Sequence, residues 1–101
     1  MSFKSIEPKE VERLLETDRS LNIIDVRENE EVAQGMIPTA KHIPLGEIST
    51  RMNELDIEKE YIMVCRSGKR SEKACTILAL NHFKVINMTG GMLSWTGETK
   101  I

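Results

Sequence analysis

The sequence predicts an α/β fold: one domain with a mainly parallel central sheet, flanked by helices on both faces. Three observations carry this. The short apolar runs "LNIIDV", "YIMVC" and "FKVINM" read as buried strands. Segments with helical spacing of apolar residues stand between them. Strands that alternate with helices in this way form parallel sheets through crossover connections. A chain of 101 residues without repeat, linker or low-complexity segment is a single domain, here 1–101.

Each element has its own signal. Pro8 after Ile6 suits the first turn of a helix, and Val11, Leu14 and Leu15 then share one helical face. The run at 21–26 is the first buried strand. "ENEEVAQG" predicts a short acidic helix closed by Gly35. "KHIP" at 41–44 reads as a further strand, after which Leu45, Ile48, Met52 and Leu55 keep helical spacing. The strand at 61–65 follows. Ser71, Ala74, Cys75 and Leu78 mark the inward stripe of the next helix, which should end near Asn81-His82 because asparagine tolerates a left-handed turn. A strand at 83–88, a turn at Gly90-Gly91 and a short helix beginning "MLSW" complete the chain.

Bulk composition narrows the function. Lys and Arg total 14 against 16 Asp and Glu, a net charge of −2, which points away from nucleic acid and from anionic membranes as partners. No apolar run reaches bilayer-spanning length, and "MSFKSIEPKE" lacks a signal-peptide pattern, so a cytoplasmic location is expected. Cys65 and Cys75 make no disulfide framework, and with His42 and His82 scattered along the chain no metal site is expected. A monomer is expected.

Within this mildly acidic chain one stretch is locally basic. "VCRSGKRSEKA" places Cys65 at the end of a buried strand and follows it with Arg66, Lys69, Arg70 and Lys73. The loop Cys65-Arg66-Ser67-Gly68-Lys69-Arg70 leads into a helix N-terminus, where free amides and the helix dipole attract anions. If the loop curls, its N–H groups form a nest around the sulfur, with Gly68 where the curl is tightest. Amides and basic side chains together favour thiolate over thiol and would hold an anionic substrate beside it. Arg70, with its planar fork, is the candidate for gripping that anion. Arg66 and Lys69 shape the field or meet a partner. The alternative is a small core cysteine beside solvated basic residues. Cys75, on the inward stripe with Ala74 and Leu78, reads as such a core residue, and Trp95 as a packing anchor.

The same loop is where the sequence resembles a known family. "CRSGKRS" is similar to the active-site loop of single-domain rhodaneses, which are sulfurtransferases. "IIDVRENEEVAQGMIPTAKHIP" resembles the family's upstream signature, and "GGMLSW" its closing one. Together these motifs span nearly the whole chain in the right order. The resemblance implies that Cys65 is the catalytic nucleophile, that Asp25 anchors loops near the site, and that Arg27 faces it with Ser71 in support. A purely structural Asp25–Arg27 ion pair is the alternative. It implies a Cys65 persulfide formed from thiosulfate or a persulfide donor and passed to cyanide or a thiol, including a protein thiol, with no cofactor. Three departures stand out: Met36 where His is frequent, and Thr39 and His82 where glycine is frequent. They bear on local turns.

Other readings remain open. Phosphatases of related fold use a C-x5-R cradle, whereas Cys65 to Arg70 is C-x4-R, one residue shorter and better matched to attack on sulfur. Arsenate reduction is a related possibility. A persulfide carrier, or a non-enzymatic interaction module of the same fold, belongs to a different class.

Overall fold

The apolar runs form the inner strands of a five-stranded parallel sheet. The computed structural model describes residues 2–101. Its strands are β1 (Lys4–Ile6), β2 (Ile23–Asp25), β3 (Lys41–His42), β4 (Glu60–Val64) and β5 (Lys84–Met88). The helices are α1 (Pro8–Thr17), α2 (Asn29–Val32), α3 (Ile48–Arg51) and α4 (Lys69–Leu80), with a closing 3-10 turn at Gly91–Ser94. Strand order is β1-β5-β4-β2-β3, so β4, which leads into the cysteine loop, lies at the centre. Its register pairs Val64 with Asp25, placing the ends of β2 and β4 side by side.

Alternation along β4 divides the core into two layers. Tyr61, Met63 and Cys65 face α4 and pack with Ala74, Cys75, Leu78, Ile48 and Val85. Ile62 and Val64 face α1 and pack with Val11, Leu15, Ile37 and Met88, with Trp95 against them. Each fully buried Val, Leu or Ile contributes about 1.5–3 kcal/mol relative to exposure. Both sheet faces are therefore covered, as the apolar runs require.

Three local features differ from the sequence reading. The edge strand β1 was not foreseen: "KSI" carries one apolar residue in three and forms only because β5 offers it a partner. The segment 45–55 is broken, with 3-10 turns Leu45–Glu47 and Met52–Glu54 either side of a single α turn. At the end of α4 the left-handed residue is His82 (φ 72°), not Asn81 (φ −102°). Phe83 N–H donates to Leu78 O and His82 N–H to Ala79 O, the paired bonds of a Schellman stop. Thr39 is also left-handed (φ 76°). Two of the three departures from the family pattern are thus the two non-glycine residues at positive φ among the described residues.

Candidate active site

Open sheets of this kind bind ligands beyond the carboxyl ends of their strands. There β4 hands over to the loop 65–68. Gly68 caps α4 at φ 99°, a backbone state open to glycine at little cost. This turns its N–H back onto the Cys65 sulfur at 3.0 Å. Burial pushes the Cys65 thiol up and is the largest single influence on it. The Ser71 hydroxyl, and then the backbone N–H groups of Ser71, Gly68 and Ser67, outweigh that burial, so Cys65 lies below the ordinary cysteine value. The predicted direction holds. Its principal causes are amides and a hydroxyl rather than the basic side chains.

Behind the loop stands a residue that the sequence reading passed over. Asn87, on β5, is 5% exposed. Its Nδ2 donates to Gly68 O at 3.2 Å, and its Oδ1 accepts the Ser71 hydroxyl at 2.5 Å. Asn87 therefore holds both ends of the turn that faces the sulfur. Ser71 has one hydroxyl proton and two acceptors competing for it, Asn87 Oδ1 and the thiolate. A lone amide inside the apolar run "FKVINM" was the available signal.

From the front, the closing turn braces the same loop. Met92 N–H donates to Cys65 O at 2.8 Å and Leu93 N–H to Arg66 O at 3.0 Å. The approach leaves no room for a side chain at Gly91, where a Cβ would lie 2.4 Å from Arg66 O. "GGMLSW" is thus a strut under the cysteine loop.

The end of β2 supplies a buried ion pair. Arg27 is 7% exposed, and its guanidinium donates to both oxygens of the fully buried Asp25, at 2.8–3.1 Å. Arg27 also donates to Gly35 O at 2.9 Å, and its own carbonyl accepts from His42 Nε2 at 2.6 Å. Asp25 and Arg27 are therefore a structural pair, and they also fix the exit of α2 beside the loop. Arg27 further lines a groove with Glu31, Gln34, Arg66, Met92 and Leu93.

Arg70 meets an acid. Its Nη1 and Nη2 donate to Oε1 and Oε2 of Glu31, each at 2.7 Å. Glu31 is itself held by the α2 capping box, accepting from Glu28 N–H at 2.9 Å. The Arg70 hydrogen bond holds the Glu31 carboxyl down to about 2. Arg66, Ser67 and Lys69 are exposed on the rim. Cys75 lies 0% exposed among Ala74, Leu78 and their neighbours, and burial pushes it up to about 12.

This fold and loop define a class: parallel α/β domains that carry a cysteine in an amide nest at the end of a central strand. Within it, residues 7–98 match the model of the Rhodanese-like domain, and the chain belongs to that family. Over 100 residues it is 49% identical to "Putative sulfurtransferase YtwF" of Bacillus subtilis, covering 99% of this chain and 97% of that one. A protein named "Sulfurtransferase" from Allochromatium vinosum is 39% identical over 85 residues, covering 83% and 78%. Among solved structures, a rhodanese-like domain protein from Staphylococcus aureus superimposes with a TM-score of 0.92 at 37% identity, covering 98% of each chain. Sulfur transfer is the activity of this family.

Proposed function

We propose that the chain is a cytoplasmic, monomeric sulfurtransferase that carries sulfane sulfur on Cys65. The donor is thiosulfate or a persulfide, and the acceptor is cyanide or a thiol. The observation that carries this reading is the Gly68 N–H held 3.0 Å from the sulfur, within a set of donors that favours the thiolate. The thiolate attacks the outer sulfur of the donor, and the donor S–S bond breaks. Sulfite leaves from thiosulfate, or a thiol from a persulfide. The same N–H groups that stabilised the thiolate then face the new Cys65–S–S⁻ anion. A second nucleophile takes the outer sulfur and returns the thiolate, so ping-pong kinetics follow.

Arg66 and Lys69 set the positive rim of the loop, Arg70 stands beside it paired with Glu31, and Asp25, Arg27 and Ser71 support it. No step calls on a metal or organic cofactor. The carrier version of this reading, with a protein thiol as acceptor, draws support from Leu93. It is 63% exposed and lines the groove beside Arg66, where a partner surface could rest.

Incubation with thiosulfate should raise the intact mass by one sulfur, and cyanide should remove it with release of thiocyanate. Cys65→Ser should show neither. Sulfur loading that persists in Cys65→Ser would refute the assignment.

A further inference from the structure

Arg70 is the natural grip for an oxyanion in this loop, yet both branches of its fork are taken. Glu31 occupies them in the bidentate geometry that a sulfonate or carboxylate ligand would use. The carboxylate is not a loose surface group that swings away freely. Glu28 N–H fixes one of its oxygens, and the Glu31 and Arg70 side chains are 27% and 31% exposed. The pair is electrostatically coupled to the reacting sulfur, since the Cys65 charge is among the influences that raise Arg70. Glu31 also lines the groove beside the loop, whose other side is the apolar Met92 and Leu93.

From this geometry we infer that Glu31 is a specificity-determining residue, which closes the Arg70 fork to oxyanion donors and matches Cys65 to alkyl persulfides. The inference rests on the sulfurtransferase reading and names the donor class within it. Thiosulfate brings two negative charges and three terminal oxygens. To use the Arg70 fork it must displace a fixed carboxylate, and otherwise it sits beside a like charge. An alkyl persulfide, R–S–SH, has no oxyanion head. Its outer sulfur needs only the amide nest, and its stem suits the Met92–Leu93 side of the groove. In that transfer the Cys65 thiolate attacks the outer sulfur and the S–S bond of R–S–SH breaks. The electron pair leaves on the R–S sulfur, the proton of the outer sulfur passes to it to give RSH, and Cys65–S–S⁻ remains. Atoms and charge balance, and no external oxidant or reductant enters.

The test compares two probes, thiosulfate and 2-hydroxyethyl persulfide, on the full chain. The readout is the rate of the one-sulfur mass gain at Cys65. Glu31→Gln retains a partner for Glu28 N–H and removes the charge. It should raise the ratio of thiosulfate to persulfide loading rates by about ten-fold, the order expected for one partly screened unit charge near the site. Arg70→Gln should then slow thiosulfate loading more in the Glu31→Gln background than alone, because only there is the fork free to grip it. A merely structural Glu31 would change both donors in parallel, and a ratio within about two-fold of wild type would overturn the inference. If neither donor loads any variant, the sulfurtransferase reading itself fails, which is a different result from equal loading by both.

Discussion

Cys65 and Cys75 are both fully buried, on the same side of the sheet, and their thiols are shifted in opposite directions. Apolar surroundings push Cys75 up to about 12. Around Cys65 the hydrogen bonds from Ser71, Gly68 and Ser67 more than offset a burial penalty of the same kind. Burial therefore does not decide reactivity here; the supply of N–H and O–H donors does. Cys65→Ser should abolish sulfur transfer, since a hydroxyl cannot carry the persulfide. Cys75→Ser should retain most activity and lose about 1–3 kcal/mol of stability by placing a hydroxyl in the core. A thiocyanate assay and a urea melt on each variant check both halves.

Ser71 supplies the leading hydrogen bond that lowers Cys65. Iodoacetamide should alkylate wild-type Cys65 below the pH range of a free cysteine, ~8.5. Ser71→Ala should move that profile to higher pH, and it should also cost about 1–3 kcal/mol because Asn87 Oδ1 loses its buried donor. A profile that Ser71→Ala leaves in place would assign the lowering to the backbone amides alone.

Glu31 makes acid stability a readout of the Arg70 bridge. Its folded value of about 2 lies below the ordinary 4.5. A depressed carboxyl contributes stability that is fully present above the unfolded value and is lost as pH falls through the folded one. Glu31→Gln should therefore cost about 1 kcal/mol near neutrality, and the difference from wild type should shrink between pH 4.5 and about 2. Urea midpoints across that range measure it.

Thr39 and His82 adopt left-handed backbone at φ 76° and 72°. That conformation costs an ordinary residue about 1–2 kcal/mol, partly returned by the smaller unfolded-state entropy of a non-glycine. Thr39→Gly should stabilise by about 1 kcal/mol, the β-branched residue suffering more, and His82→Gly by about 0.5 kcal/mol. The first corresponds to a melting increase of about 4–8 °C in a domain of this size.

What the sequence revealed, and what it hid, follows from whether the cause was local. Buried strands and the inward face of α4 are written as periodicity, so "YIMVC" and the Ser71–Leu78 stripe could be read directly. The cysteine loop was legible because strand, glycine and helix start are contiguous. Asn87 was missed because its role depends on β5 lying beside β4, which places it behind a loop nineteen residues away at Gly68. The Glu31–Arg70 pair spans thirty-nine residues and depends on β2 lying beside β4. Arg70 alone signalled an anion; that the chain provides one of its own could not be seen locally. β1 escaped for the same reason, since its partner is the last strand.

The strut formed by Met92 and Leu93 also sets an order in time. During synthesis Cys65 leaves the ribosome well before the two amides that brace its loop, and before β5 brings Asn87 behind it. Until those residues emerge, the thiol lacks the frame that tilts it toward the charged form. A chain ended at Ile86, which lacks Asn87 as well as the bracing amides of Met92 and Leu93, should accordingly alkylate at Cys65 like an ordinary cysteine. On that outcome the nucleophile is armed only when the domain closes, and the nascent chain passes through its most exposed stage with a quiet thiol.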